Sequence, residues 1–384
     1  MNSTLMCIYV VNIFGAVLLA VVAAGNIWRL QRRNIENTSL MIMLILGFIN
    51  CIVDPLVFSA EKQSGQLAYL FNLYGNGWQY ASNMACSFLW FIFLTQHICG
   101  GVSKIHRGIL KTAATIGLLG VVVNFFVPFI YSIDENNAYQ RLWGYWMYTV
   151  IDYGVTLDSL VIYFWRRMRN RLLTFFPVWV YFFPLMIGTF AQTAFYGIST
   201  ISAGLAVSIA GIFSSLQNEL IFRDRLTGLY NRVYLDYYLR AFARRHRGAV
   251  MTGLMLDLNS FKKINDNFGH SVGDRALTNM ADILQKSVRS LGVAIRYAGD
   301  EFIVLLNTQD PVVVDRYIQL IYSSITRFNR SSKEPYQLST SIGKGTLDPK
   351  NKNLDEFINT IDHEMYENKK AYYAASSAND RRHR

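Results

Sequence analysis

Two aspartates stand where carboxylates could take part in chemistry. Asp257 ends an apolar run, 250–256, and Asp300 lies in the tight turn between two further apolar runs, 294–297 and 302–306. If these runs are neighbouring strands, both carboxylates reach one edge of the sheet. Hard divalent cations prefer such oxygen ligands, and a pair of cations can bridge nucleotide phosphates while activating an attacking oxygen. Taken singly, each aspartate is equally well explained as a turn residue, since Asp is common in turns.

The elements that position these aspartates follow from the hydrophobic pattern and the turn residues. From residue 223 onward the chain has the charge and polarity of a soluble protein. Its mixed helices and strands, joined through a hairpin, predict an α+β domain with a largely antiparallel sheet. The predicted helices are 234–245, 260–267, 274–291, 312–327 and 354–373, and the predicted strands are 249–256, the hairpin 294–306, and 336–343.

Five segments of this region resemble the diguanylate cyclase, or GGDEF, family, in the family's order and spacing. They read DRLTGLYNR (224–232), LDLNSFKKINDNFGHSVGD (256–274), RYAGDEF (296–302), STSIG (339–343) and IDHEMYENK (361–369). A lone GDEF tetrapeptide would carry little weight, whereas five ordered motifs make chance agreement implausible. The resemblance implies a ferredoxin-like, palm-type GGDEF fold with flanking helices over residues 224–375.

The resemblance also implies a reaction and its catalytic residues. Asp257, Asp300 and the main-chain carbonyl of Leu258 resemble the ligands of Mg²⁺ or Mn²⁺, with two ions per active site. Asp300 is then the candidate base for a ribose 3′-hydroxyl, and Glu301 supports the same site. The implied reaction condenses two GTP into cyclic di-GMP and two pyrophosphates by two-metal phosphoryl transfer. Because each domain of the family holds one GTP, a homodimer is expected.

The remaining family positions concern the substrate. Asn265 and Asp274 fall where the family recognises guanine. A carboxylate there can accept hydrogen bonds from the N1–H and N2–H donors that guanine has and adenine lacks. His270 matches a position on the substrate side, although a turn or capping role explains it nearly as well. Lys262 and Lys369 match positions that hold phosphate charge.

Three positions depart from the family pattern. Ala298 replaces the first glycine of the signature, and Asn259 replaces an aspartate that lies outside the metal set. Tyr373 stands four residues beyond Lys369, where the family places an arginine. The loss of that phosphate-binding cation is expected to weaken GTP binding.

A regulatory site of the family is half missing in this chain. Many members carry an arginine and an aspartate three residues apart that bind the product and inhibit the enzyme. Here the arginine is Arg289, but the aspartate position is Gly292, which has no side chain to accept a hydrogen bond. The sequence therefore predicts a degenerate inhibitory site and weak or absent feedback inhibition. Arg289 is alternatively a solvated helix charge.

The first part of the chain, 1–216, is a series of long apolar stretches separated by short polar loops. A spanning helix needs about 20 mainly apolar residues. This pattern predicts a polytopic all-α membrane domain that acts as a sensor, a short connecting helix at 217–223, and a polar tail at 376–384. The seven predicted spans are 5–28, 39–60, 78–98, 109–131, 144–165, 172–196 and 198–216.

The charges of the loops predict the orientation in the lipid bilayer. Basic residues collect in alternate loops, and loops of this kind are retained on the cytoplasmic side. The amino terminus is then outside the cell membrane, and the catalytic domain is cytoplasmic. No basic region precedes the first stretch, so it is not read as a cleavable signal peptide. The basic loops contain Arg29, Arg32 and Arg33, then Lys104, Arg107 and Lys111, then Arg166, Arg167, Arg169 and Arg171.

A few ionisable groups interrupt the predicted spans. Asp54 and Asp158 lie deepest, and Asp152 and His97 lie nearer the ends. Such groups are costly in hydrocarbon and often mark function, so they could line a site for the unidentified signal ligand. Hydrogen bonds between helices explain them equally well.

Composition narrows the remaining classes of function. Much of the basic excess behind the net charge of +11 lies in short loops between apolar stretches, where cytoplasmic retention explains it, so no nucleic-acid polymer is expected as a partner. The four cysteines lack metal-type spacing and are interpreted as small buried apolar residues. Two other functions remain open. One is a GTP-binding regulatory module without turnover; the other is a transporter or channel, which the lack of an evident repeat disfavours.

Overall fold

A computed structural model describes residues 3–31, 34–169, 176–195, 198–245, 251–288, 292–347 and 354–382. The chain divides into two compact units, residues 1–217 and 218–384.

The first unit consists mainly of helices whose ends follow from local capping. Asn34 precedes the third helix and its side chain accepts a hydrogen bond from the backbone N–H of Asn37. Ser103 caps the fifth helix in the same way, through the N–H of His106. The helices are α1 (Ser3–Gly25), α2 (Ile27–Leu30), α3 (Ile35–Ala60), α4 (Gln66–Cys99), α5 (Lys104–Asn124), α6 (Gly144–Arg169), α7 (Trp179–Ala194) and α8 (Ile201–Ile221).

Four helices of the described residues are long and apolar enough to cross a membrane, namely α1, α3, α5 and α8. Helices α4 and α6 are long, but they carry more polar residues, and α7 is 16 residues long. The predicted count of seven spans therefore remains a prediction. Apolar helices near the amino terminus support a membrane anchor.

The prediction that this unit is all-α was wrong in one place. The predicted span 109–131 ends as a helix at Asn124, whose buried side chain accepts hydrogen bonds from the backbone N–H groups of the next turn. Those donors are Phe129, Ile130 and Tyr131. The turn leads into a small antiparallel hairpin of β1 (Tyr131–Ile133) and β2 (Tyr139–Arg141).

The ionisable groups of the first unit mostly have polar partners. Asp54 is buried and accepts hydrogen bonds from Gln79 and Ser199, which agrees with the structural explanation. The side chain of Asp158 is 39% exposed, and its Oδ2 lies 3.3 Å from Nε2 of His106. His97 contacts Glu36, with 3.6 Å between Nδ1 and Oε1.

The cysteines correspond only in part to the prediction of buried residues. Cys51 and Cys86 are buried and Cys99 is half-buried, but Cys7 is exposed on α1. All are free thiols. An exposed cysteine is compatible with α1 because this helix is apolar on every side.

The second unit is an α+β domain with a four-stranded antiparallel sheet, as predicted. The strand order is β4-β5-β3-β6, so β3 is internal and pairs antiparallel with both neighbours. Its elements are α9 (Arg232–Arg245), β3 (Met251–Leu258), α10 (Phe261–Phe268), α11 (His270–Ser287), β4 (Gly292–Ala298), β5 (Glu301–Leu306), α12 (Pro311–Ser331), β6 (Thr340–Leu347) and α13 (Leu354–Arg382).

Every residue of β3 is buried because both faces of the sheet are covered. On one face Leu254 and Leu256 belong to the core that includes residues of α11 and α12. On the other face α13 approaches so closely that a Cβ at Gly253 would lie 2.4 Å from the Phe357 ring. Burial of apolar side chains on both faces therefore fixes the strand that carries Asp257.

Three predicted boundaries moved. The strand predicted at 336–343 starts at Thr340, since the amide of Asn329 binds both the N–H and the carbonyl of Leu338 in place of a strand partner. The helix predicted from 274 begins at His270, directly after Gly269 with its φ of +85°. The predicted polar tail is helical up to Arg382, because α13 continues through alanines that favour helix.

Candidate active site

Strand pairing brings the two predicted carboxylates to one edge of the sheet. Asp257 lies opposite Glu301 in the β3–β5 register. The backbone N–H of Leu258 donates to the carbonyl of Asp300 at 3.3 Å. Asp257, Leu258, Asp300 and Glu301 therefore form one group, at the point where β3 ends and the β4–β5 turn begins.

The turn itself is held by an arginine. Gly299 has a φ of +42°, a conformation that favours glycine. Arg296 donates from Nε and Nη2 to the carbonyl of Gly299, at 3.0 and 2.8 Å, and from Nη1 to Oδ1 of Asp224 at 3.0 Å. Asp224 also accepts from the N–H and hydroxyl of Thr227. Arg296 thus connects the first of the five motifs to the turn that carries Asp300.

The sequence analysis gave no role to Arg296 or Asp224. Burial alone would raise the pKa of Asp224, but hydrogen bonds from Thr227 and Arg296 hold it below its ordinary value. Both residues lie inside the quoted motifs, and this position was the only feature of the sequence that could have indicated a role for them. Their contact joins residues 72 positions apart, which spacing along the chain does not reveal.

The carboxylates repel one another at this edge. Burial raises the pKa of Asp257, and the charges of Asp300 and Asp362 raise it further, while Lys369 opposes them. Burial also raises the pKa of Glu301, together with the charges of Asp257, Asp362 and Asp300. Asp362 on α13, which the sequence analysis did not single out, thus belongs to the electrostatics of the site.

Lys369 is the positive charge within this acidic group. Its Nζ lies 2.6 Å from Oδ1 of Asp257. Among the described residues Oδ1 of Asp257 has no partner besides this ammonium group. Burial lowers the pKa of Lys369, but the ion pair with Asp257 outweighs it and leaves the pKa above its ordinary value.

These residues suit a divalent cation. Two carboxylates and a main-chain carbonyl are hard oxygen ligands of the kind that Mg²⁺ and Mn²⁺ prefer. The buried Oδ1 of Asp257 is paired with an ammonium group and has no other partner among the described residues, as expected of an oxygen that can bind a cation. Among the described residues no three His, Cys, Asp or Glu side chains are grouped as a metal site, and the predicted set needs only two.

The predicted guanine residues meet at the junction of α10 and α11. Asn265 is half-buried and packs on Gly273, where a Cβ would lie 2.0 Å from its Oδ1. Asp274 follows directly and is exposed. Lys262 and His270 are also exposed. No hydrogen bond or ion pair of the described residues joins Lys262, Asn265, His270 or Asp274 to the carboxylate group.

Two departures from the family pattern have structural roles. The hydroxyl of Tyr373 accepts a hydrogen bond from the N–H of Ser260 at 3.0 Å. Asn259 is buried, donates from Nδ2 to Oγ of Ser339 at 3.1 Å and accepts from Oγ of Ser341 at 2.8 Å. An ionised aspartate at residue 259 could not donate to Ser339 as Asn259 does, since a carboxylate only accepts.

The predicted inhibitory pair is only partly visible. Arg289 lies outside the described residues. Gly292 is the first residue of β4, where a Cβ would lie 2.6 Å from the backbone oxygen of Leu305. The packing of β4 on β5 therefore leaves no room for a side chain at residue 292.

The fold and the site define a class of protein. Residues 221–373 match the family described as diguanylate cyclase, GGDEF domain. The antiparallel sheet, its flanking helices and the carboxylates at its turn belong to this segment. The second unit is therefore a GGDEF domain.

Curated relatives resemble the same segment. A probable diguanylate cyclase of Escherichia coli, DgcC, is 31% identical over 153 residues, which cover 39% of this chain and 41% of the relative. The diguanylate cyclase DgcS of Shewanella oneidensis is 45% identical over 86 residues, covering 22% and 29%. The uncharacterized protein YtrP of Bacillus subtilis is 30% identical over 171 residues, covering 44% and 28%. The chain thus spans less than half of each of these relatives.

A solved structure is similar to the same part of the chain. It is the GGDEF domain of DgcB from Caulobacter crescentus in complex with c-di-GMP. The identity is 26%, the match covers 39% of this chain and 91% of that one, and the TM-score is 0.36.

Proposed function

We propose that this chain is a membrane-anchored diguanylate cyclase that condenses two GTP into cyclic di-GMP and two pyrophosphates. The observation that carries the proposal is the group at the sheet edge, where Asp257 lies opposite Glu301 and Leu258 binds the backbone of Asp300. This group lies inside a segment that matches the cyclase family. The related cyclases of Escherichia coli and Shewanella oneidensis support the same reaction.

The reaction consists of two equivalent displacements. The 3′-oxygen of one GTP attacks the α-phosphorus of the other, the bond to pyrophosphate breaks, and the 3′-proton is removed. A second attack in the opposite direction closes the ring and releases a second pyrophosphate. Asp300 is the proposed acceptor of the proton, and Glu301 keeps the site negative. Positioning and charge stabilisation supply most of the rate enhancement in such transfers.

The metal ligands in this proposal are Asp257, the carbonyl of Leu258, and Asp300. Mg²⁺ or Mn²⁺, two ions per site, would neutralise phosphate charge and favour ionisation of the attacking hydroxyl. Lys369 already neutralises Asp257 and is suited to move to a phosphate oxygen when a cation takes its place.

The substrate residues are assigned by their positions. Asn265 and Asp274 would bind the guanine edge, Lys262 would hold phosphate charge, and His270 would lie on the substrate side. Each domain is proposed to hold one GTP, so two copies of the chain must face each other. The first unit is proposed to anchor this homodimer in the cell membrane and to transmit a signal to it.

A second candidate function is a regulatory module that binds GTP without turnover. The observation that favours it is Tyr373, which occupies the position of a phosphate-binding arginine and binds Ser260. Such a module would bind GTP and yield no product.

The deciding experiment is incubation of the purified full-length protein with GTP and Mg²⁺ or Mn²⁺, followed by mass analysis of the products. We expect cyclic di-GMP from the wild type and none from Asp300→Ala. The matched control is Asp315→Ala, which removes an exposed carboxylate that pairs with Lys344 on the surface. GTP binding by the wild type without product would favour the regulatory module. Near-normal turnover by Asp300→Ala would refute the assigned mechanism.

A further inference from the structure

A cavity of about 130 Å³ lies inside the first unit, between α4, α6, α7 and α8. Its lining contains many aromatic and polar side chains. One carboxylate and five tyrosines face it, namely Asp152, Tyr80, Tyr145, Tyr148, Tyr153 and Tyr181. Cavities of this kind bind small ligands when the polar groups of the lining converge on one point.

Two polar atoms of the lining lack a hydrogen-bond partner. Oδ1 of Asp152 and the hydroxyl of Tyr181 are buried without a hydrogen-bond partner among the described residues, while Ser87 hydrogen-bonds the Asp152 side chain. Two of the other tyrosine hydroxyls are bonded, Tyr80 to Tyr139 and Tyr148 to the carbonyl of Gly117. Buried polar groups are normally satisfied, so two open atoms beside one cavity indicate that a ligand completes them.

The charge of the cavity selects the kind of ligand. No lysine, arginine or histidine is among the described residues that line it, so Asp152 has no internal counter-ion there. The tyrosine rings offer faces that attract cations. Tyr145 already holds the guanidinium of Arg141 over its ring, 4.8 Å from the centroid. A divalent metal would need six or more oxygen ligands, which one carboxylate does not supply.

We propose that this cavity binds a small primary ammonium compound. The ammonium group has three donors, and Asp152 Oδ1 and the Tyr181 hydroxyl supply two acceptors for them. The alkyl part of the ligand would pack against the tyrosine rings. The proposal rests on the first unit alone and is independent of the reaction proposed for the second.

The first test compares n-propylamine with 1-propanol, which has nearly the same shape and no charge. A primary alkylamine resembles the lysine side chain, with a pKa of about 10.4, and is therefore charged at neutral pH. Binding to the full chain in lipid nanodiscs is measured by calorimetry, with empty nanodiscs as the blank. We expect saturable binding of the amine at least about tenfold tighter than that of the alcohol.

The second test uses matched variants of α6. Asp152→Asn should weaken amine binding by about tenfold or more, because it removes the counter-ion and keeps the shape. Asp158→Asn is the control, since this carboxylate on the same helix is partly exposed and pairs with His106. It should bind as the wild type does. Tyr181→Phe keeps the ring and should cause a smaller loss.

Three outcomes would overturn the proposal. The first is equal affinity for amine and alcohol, and the second is undiminished amine binding by Asp152→Asn. The third is the absence of saturable binding. That result would mean that Asp152 holds a proton and that the cavity holds water. If Asp152→Asn does not fold, the comparison of amine with alcohol on the wild type and the Tyr181→Phe variant decide the question.

Discussion

At the scale of single residues, the site is a group of negative charges held together without enough positive charge. Asp257, Asp300, Glu301 and Asp362 influence one another, and Lys369 is their cation. The sheet register forces Asp257 and Glu301 to face each other, because they are paired residues of adjacent strands. Their repulsion is a cost that a bound cation would remove.

The raised pKa of Glu301 predicts a pH-dependent stability. The folded state binds this proton more tightly than the unfolded chain, so the wild type gains stability as the pH falls towards 4.5, the ordinary value for Glu. Glu301→Gln lacks the repulsion at all pH values. In a chelator at neutral pH we expect the thermal transition of the second unit to rise by a few degrees. About 2 to 4 °C corresponds to 1 kcal/mol for a domain of this size. The gain should vanish near pH 4.5.

The control for this prediction is Glu367→Gln. The Lys370 hydrogen bond lowers the pKa of Glu367, so its charge is favourable and the variant should not gain stability at neutral pH. Differential scanning calorimetry across the pH range measures both variants. An equal gain for both, or a Glu301→Gln gain that is independent of pH, would contradict the electrostatic explanation.

At the scale of elements, the β4–β5 turn is shaped by contacts from outside the hairpin. Arg296 binds the Gly299 carbonyl twice and reaches Asp224 in the segment before α9. This planar fork cannot be replaced by a single ammonium group. Arg296 is therefore a positioning residue for Asp300.

We expect Arg296→Lys to lower kcat by about tenfold or more, because a lysine cannot hold both partners and the turn then shifts. GTP binding should change little, since Asn265 and Asp274 are on other elements. Arg275→Lys is the matched control, because Arg275 also forms a fork, to Glu334, and none of these hydrogen bonds involves the turn. Steady-state measurements of kcat and KM for both variants test this prediction. An equal loss of kcat in Arg296→Lys and Arg275→Lys would assign the effect to general destabilisation.

The contact between α10 and α11 depends on the absence of a side chain. Gly273 is buried, and a Cβ there would lie 2.0 Å from Oδ1 of Asn265. An alanine must therefore displace the Asn265 side chain, which is the atom group proposed to bind guanine.

Gly273→Ala should raise the KM for GTP by about threefold to tenfold, the equivalent of one neutral hydrogen bond, and leave kcat largely intact.

Asp274→Ala should raise the KM for GTP further and weaken the preference for GTP over ATP. Ser271→Ala, exposed on the same helix, is the control. Competition binding with GTP and ATP measures selectivity, and an unchanged GTP preference in Asp274→Ala would count against the guanine assignment.

At the scale of the whole molecule, the charges of the loops predict an outside amino terminus and a cytoplasmic GGDEF domain. A cysteine placed at Asn2 in a variant without the four native cysteines should react with an impermeant maleimide in intact cells. A cysteine at Lys104 should be protected. The opposite pattern of labelling would show that the orientation is reversed. Labelling at both positions would show that the maleimide had crossed the membrane.

Feedback inhibition of the enzyme by its product, cyclic di-GMP, should be weak. Gly292 cannot supply the acceptor of the inhibitory pair, and loss of a hydrogen bond to a charged group costs about 1.5 to 3 kcal/mol, or roughly tenfold to a hundredfold in affinity. Titration of cyclic di-GMP into a steady-state assay should therefore show little inhibition at low micromolar product. Gly292→Asp should not restore it, because the backbone of Leu305 occupies the space. Strong noncompetitive inhibition of the wild type would show that the site survives in another form.

The sequence alone predicted the elements whose signals are local or periodic. The apolar run before Asp257 and the two runs around Asp300 predicted strands, and the short polar turn predicted their hairpin. Long apolar stretches predicted the helices of the first unit. The five motifs resemble the diguanylate cyclase family in their order and spacing, and that resemblance indicated the family.

The tertiary structure decided the contacts between distant residues. Arg296 and Asp224, Lys369 and Asp257, and Asn329 and Leu338 meet only after the sheet and its helices have packed. Asn329 thereby moved the start of β6, and Asn124 ended α5 before its apolar run was complete. The cavity beside Asp152 likewise arises where four helices meet, and no periodicity along one helix predicts the space between several. Hydrophobic pattern specifies which face of an element is buried, whereas the partner that covers it depends on the packing of the whole unit.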